Sequence, residues 1–104
     1  MADVHTKNQI SYIASLILDK SIDPIIGIRE LHHLMSLDIS IEEDDYLIIA
    51  GLEDGAEEFI KGEIRKNFSD SLLKERDELE QEYLKDNKNL INKIMYKLSV
   101  IDNI

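Results

Sequence analysis

The feature that most constrains this chain is an apolar stripe near its C-terminus. Leu72, Leu79, Tyr83, Leu90, Ile94, Leu98 and Ile101 follow one another at steps of seven, four, seven, four, four and three. Those steps keep side chains on one face of an α-helix and would scatter them across both faces of a strand. The step from Tyr83 to Leu90 skips a slot held by Asn87, and the stripe resumes in phase beyond it. Asp86-Asn87-Lys88-Asn89 therefore reads as the polar part of one helix of about 30 residues, about 45 Å long at 1.5 Å per residue. Ser69 or Ser71 can cap its start.

Upstream, the same periodicity recurs with a single proline and four glycines in the whole chain. Ile10, Ile13, Ala14 and Ile17 make one stripe on a helix from about Thr6 to Lys20, with Thr6 and Gln9 as a possible capping box. Asp23-Pro24 starts a second helix reaching about Leu37, because Asp accepts from free amides and proline suits the first helical position. Ser40 and Glu43 suggest another box and a third helix from about Ile41 to Glu53, although Tyr46 to Ala50 also fits a short buried strand. Gly51, Gly55 and Gly62 then predict a loop or broken turns from about Asp54 to Phe68. The chain thus reads as all-α: a single domain over residues 1–104, a bundle of about four helices with a long C-terminal one.

Charge is unevenly distributed. The net charge is −10. Residues 1–37 hold four acids and three bases, residues 38–58 nine acids and no base, and residues 59–104 nine of each. Almost the whole imbalance therefore falls within the stretch IEEDDYLIIAGLEDGAEEF, Ile41 to Phe59, and its immediate approach. Such a balance disfavours direct contact with nucleic acid or an anionic membrane, both of which need clustered Lys and Arg. There is no cysteine, which removes thiolate chemistry and suits a reducing compartment. The start MADVHTKNQ lacks the pattern of a secretory signal, and the longest apolar run, Tyr46 to Leu52, is far short of a bilayer span. A cytoplasmic protein is expected.

Local chemistry motifs are few. Three histidines, at positions 5, 32 and 33, lack the three- or four-residue spacing that puts two metal ligands on one helical face. His32 shares a stripe with Ile28 and Met35 and reads as a hydrogen-bonded histidine at the edge of the core; His33 reads as solvated. A calcium loop from Asp38 fails because Glu43 stands where glycine is required. Glu42 and Asp45 supply half of the paired-carboxylate motif of helical, magnesium-dependent nucleotide hydrolases, without a partner pair upstream. No phosphate loop or nucleophile elbow is present, so the chain is read as a non-enzyme with no cofactor and no metal.

The acids have two readings: a solvated face that aids solubility, or a lure for a basic protein. Close like-charge pairs cost about half to one kcal/mol each in water, and the segment contains no base to offset them. The proposed partner-binding face is Glu42, Glu43, Asp44, Asp45, Glu53, Asp54, Glu57 and Glu58.

The order Gly27-Ile28-Arg29-Glu30-Leu31, Asp44-Asp45, Glu53-Asp54, Gly62-Glu63-Ile64-Arg65, Phe68-Ser69 and a long helix with Asp77, Glu80 and Tyr83 resembles small helical bacterial proteins of uncharacterised or immunity type. Some of these are similar to the immunity proteins encoded beside toxins of contact-dependent growth inhibition and related competition systems. The resemblance spans about residues 25 to 100. It implies a cytoplasmic, non-catalytic inhibitor that binds one cognate toxin, with a basic nuclease domain as the partner the charge favours. The competing binding-module reading is an adaptor or antirepressor docking through an exposed stripe from Leu72 to Leu98. Gly27 is read as a close helix contact, and Arg29 and Arg65 as fold-fixing partners of carboxylates. Ile101 and Ile104 leave monomer and dimer both open.

Overall fold

The structure, a computed structural model, describes residues 4–38 and 40–103. Five α-helices follow in order: α1 (Val4–Leu18), α2 (Pro24–Ser36), α3 (Glu43–Gly55), α4 (Asp70–Asp86) and α5 (Lys88–Ser99). Short 3-10 helices occupy Gly62–Asn67 and Ile101–Asn103. No strand occurs among the described residues, so Tyr46 to Ala50 is helical. The all-α expectation holds with more helices than foreseen. Ile104 lies outside the described residues.

The core forms where α1 packs against α2 and α5, and α2 against α3. Ile10, Ala14 and Ile17 of α1 meet Ile28, Leu31 and Met35 of α2, Ile49 and Leu52 of α3, and Ile91, Ile94, Met95 and Leu98 of α5. Gly27 permits a close approach of α2 to Ile17 of α1. A Cβ there would stand 2.6 Å from Ile17 Cδ1 and 2.7 Å from Ile17 Cγ1. This contact accounts for glycine inside a helix despite its low helix propensity.

Two of the expected helix starts form as the sequence suggests. Asp23 is the N-cap of α2 and accepts from the amides of Ile25 and Ile26. Ser69 caps α4 through the Leu72 amide. The two capping boxes do not form. Thr6 lies inside α1 and is buried, and Ser40 instead donates its hydroxyl to Asp38 Oδ1 at 2.7 Å.

The expected single long helix is interrupted at Asn87, whose backbone sits at φ −105°, ψ 10°. Its side-chain amide donates to Tyr83 O at 2.9 Å, sharing that carbonyl with its own backbone amide at 3.0 Å. The buried face also differs from the expected stripe. Leu79 and Leu90 are 38% and 41% exposed, while Glu80 and Ile91 beside them are buried. Ile94 and Leu98 do face the core.

α4 is unusual because its one buried residue is a charge, Glu80. Lys61 reaches Glu80 Oε2 at 2.7 Å and Asp23 Oδ2 at 2.7 Å, joining α4, the preceding loop and the cap of α2. Burial pushes Asp23 upward in pKa, but the hydrogen bond and charge of Lys61 and the amides of Ile26 and Ile25 outweigh it, leaving Asp23 below its ordinary value. Burial likewise pushes Lys61 down, and its bonds to Asp23 and Glu80 outweigh that, leaving Lys61 above its ordinary value. Arg65 adds a bidentate pair with Asp77, at 3.0 and 2.8 Å. Arg29 does not pair with a carboxylate as expected; it donates to Ala56 O and Phe59 O at 3.1 and 2.8 Å.

Two stability measurements check this arrangement. Gly27→Ala should lower unfolding stability by about 1–2 kcal/mol in urea, because overpacking against Ile17 outweighs the gain in helix propensity. Lys61→Met should cost about 2–3 kcal/mol by leaving Glu80 buried without a counter-charge, and adding Glu80→Leu should recover most of that. The pH dependence has a definite sign. The lowered Asp23 contributes above about pH 4 and loses its contribution as pH falls through its folded value; the raised Lys61 contributes below about pH 10 and loses it as pH rises. The difference between wild type and Lys61→Met should therefore shrink as pH falls through the folded value of Asp23 and as it rises through that of Lys61.

Candidate partner-binding site

The acids of the charged segment fall at the two ends of α3, separated by about 20 Å of helix. Their environments differ in kind. Glu43, Asp44 and Asp45 occupy the first turn, where the positive end of the helix dipole favours carboxylates. Asp45 is buried and accepts from Lys97 Nζ at 2.9 Å; Glu42 accepts from the same ammonium at 3.1 Å. The hydrogen bonds to Asp45 and then Glu42 hold Lys97 above its ordinary pKa despite opposing desolvation. The half motif for magnesium is thus filled by a lysine. Glu43 and Asp44 remain exposed, with no ion-pair partner among the described residues.

At the other end, the last turn of α3 has no base of its own. Glu53 and Asp54 lie there, and Glu57 and Glu58 follow at once. Glu53 Oε2 faces His32 Nδ1, and His32 Nε2 lies 3.2 Å from the Tyr46 hydroxyl, so this histidine is a bonded group at the core edge as expected. His33 is exposed. Glu58 accepts from Arg76 of α4 at 3.1 Å. Asp54 and Glu57 are exposed and have no ion-pair partner among the described residues.

Backbone amides and two side chains satisfy the carbonyl end of α3. The Ala56 amide donates to Glu53 O, Arg29 caps Ala56 O, and the Tyr83 hydroxyl donates to Leu52 O at 2.9 Å. Tyr83 reaches that carbonyl because Gly55 has no side chain; a Cβ there would stand 2.6 Å from the hydroxyl oxygen. Burial raises the Tyr83 pKa, and the charge of Asp54 adds to the rise. A groove of about 550 Å³ opens beside these groups, with Asp54, Glu57 and Glu58 on its rim and Ala50, Phe59, Ile60, Ile64 and Phe68 among its lining.

The eight acids predicted as a face are therefore not equivalent. Asp45 is buried, while Glu42, Glu53 and Glu58 are engaged by Lys97, His32 and Arg76. Glu43 and Asp44 sit where the helix favours them. Asp54 and Glu57 sit where it does not. The groove residues Ile64 and Phe68 escaped sequence reasoning because an exposed apolar side chain in a loop carries no periodic signal.

Among the described residues, no cluster of His, Asp and Glu is arranged to hold a metal ion, and no helix is long and apolar enough to cross a membrane. Comparison of the chain with known protein families, curated proteins and solved structures finds no match.

The asymmetry of α3 is measurable. Asp44→Asn should lower stability by a few tenths of a kcal/mol, whereas Asp54→Asn should leave it unchanged or raise it by a similar amount, at low salt. Paired urea titrations at low and high ionic strength check this; shifts of the same sign for both variants would remove the distinction between the two ends.

Proposed function

We propose that this protein is an immunity protein that binds a basic toxin domain, with a nuclease as the partner class, and neutralises it by covering its substrate site. The observation that carries the reading is the uncompensated pair Asp54 and Glu57, exposed at the end of α3 where a carboxylate weakens the helix, and beside an open groove. Acids retained at a cost to the fold are accounted for by a function outside it. Glu43 and Asp44 extend the negative field along the same protein but have a stabilising role as well.

A nuclease holds its polyanionic substrate with clustered Lys and Arg, and an acidic protein seated on that cluster excludes the substrate by charge and by volume. Long-range attraction also accelerates encounter. An inhibitor of this kind has to reach its toxin before the toxin reaches nucleic acid.

Co-expression with secreted-toxin nuclease domains, scored by growth, tests the assignment. The protein should rescue growth from at least one such domain, and rescue should fall on replacing Asp54 and Glu57 by Asn and Gln. Stopped-flow association with the rescued domain should slow about tenfold in that variant at low salt and lose much of its salt dependence. Failure to rescue against a panel of basic nuclease domains would reject the toxin assignment.

A further inference from the structure

The acids of the groove rim do not stand alone. Along the outer side of α3, Leu47 is 56% exposed, and it precedes Gly51 by four residues and Asp54 by seven, so the three share one side of the helix. Across the groove, Ile64 is 53% exposed and Phe68 is also exposed, both in or next to the 3-10 helix Gly62–Asn67. Exposed apolar side chains thus lie in the groove wall that holds Asp54 and Glu57 and, two turns before Asp54, along α3 outside the groove.

Gly51 supplies a separate observation. It lies in the middle of α3, is exposed, and a Cβ built on it would meet nothing within 4 Å. Gly27 and Gly55 each make room for an internal neighbour, Ile17 and Tyr83 respectively. Gly51 makes room for nothing inside the molecule, yet glycine there weakens the helix relative to almost any other residue. Space kept open on the outside of a helix lets the main chain of another molecule come close, as small residues do at helix contacts.

We infer that the outer side of α3 and the adjoining groove form a docking surface for a segment of a protein partner in which Arg or Lys alternates with small apolar side chains. Charge complementarity selects that occupant. Asp54 and Glu57 have no ion-pair partner among the described residues, and the cations of the groove lining are engaged elsewhere, Arg29 with Ala56 O and Phe59 O and Lys61 with Asp23 and Glu80, while Arg76 pairs with Glu58. The apolar members of the segment rest on Leu47, Ile64 and Phe68, its cations reach Asp54 and Glu57, and its backbone passes over Gly51. This inference rests on the proposed function, whose partner is a basic protein, and names the part of that partner which would be recognised.

The test uses the full chain and a peptide of three Arg-Leu-Ala repeats, with a Glu-Leu-Ala peptide as control, in an amide chemical-shift titration. Saturable shifts should appear at Leu47, Gly51, Asp54, Glu57, Ile64 and Phe68 with the basic peptide only. Replacing Asp54 and Glu57 by Asn and Gln should weaken binding at least about fivefold. Gly51→Gln should raise the urea midpoint, since glutamine is the better helix former, and at the same time weaken the peptide at least about threefold by blocking the approach. Gly51→Gln that stabilises without affecting binding overturns the inference. So do shifts spread over the solvent acids Glu75, Glu78 and Glu82 of α4, or no saturable shift at millimolar peptide. Toxin rescue together with shifts elsewhere would leave the immunity reading standing and move the face; confined shifts without rescue would do the reverse.

Discussion

The Lys61 ammonium, held between Asp23 and Glu80 at 2.7 Å from each, is the contact on which the placement of α4 depends. The other helices of the bundle are attached by apolar burial. α4 is attached that way only in part: Tyr83 and Leu84 pack half-buried against the core, its other apolar side chains are half-buried or exposed, and Glu80 is the residue it buries. A charge taken out of water costs several kcal/mol unless it is paired, so Glu80 ties α4 to wherever Lys61 stands. Asp23 fixes that place in turn, because the same carboxylate caps α2 through the amides of Ile25 and Ile26. One ammonium thereby sets the register of three separate pieces of chain.

Beside the packing of Tyr83 on Phe59 and its bond to Leu52 O, α4 is held by a further ion pair. Arg65 grips Asp77 with both ends of its guanidinium and also caps Ile60 O at 2.7 Å, which holds the 3-10 helix Gly62–Asn67 against α4. Gly62, at φ +78°, turns the chain from Lys61 into that short helix through a conformation that suits glycine. Ile64 and Phe68 face outward because the elements beneath them are held by charge and not by their own burial. The groove beside α3 thus owes its far wall to ion pairs, and its near wall to a helix anchored in the core by Ile49 and Leu52.

Local chemistry was legible in the sequence where partners lie within a few residues of each other. Asp23-Pro24 and Ser69 mark real helix starts, the stripe Ile10-Ala14-Ile17 faces the core, and the glycines after Gly51 do accompany the end of regular helix. Where a side chain had a choice of partners, the sequence misled. Ser40 had an amide to cap and a carboxylate to bind, and it took Asp38. Asn87 looked like one polar residue in a continuous stripe, yet its side chain folds back onto Tyr83 O beside its own backbone amide and the regular helix is interrupted there. That break puts Ile91 inward where Leu90 was expected.

Charge was least legible because its partners are the most distant in sequence. Counting by segment leaves residues 38–58 with nine acids and no base. Folding brings Lys97 to Asp45 across 52 positions and Arg76 to Glu58 across 18. What survives this pairing is a smaller and more informative set, sorted by the polarity of α3. A helix rewards carboxylates at its start and penalises them at its end, so Glu43 and Asp44 are explained by folding while Asp54 and Glu57 are not. Selection for stability alone would have placed a lysine near Gly55 and an alanine at position 51. The chain keeps Asp54 in the last turn and glycine at position 51, three residues apart on one side of α3, with Glu57 just beyond the helix. These two departures from stability, at neighbouring positions of one exposed surface, are the observations on which the proposed docking face rests.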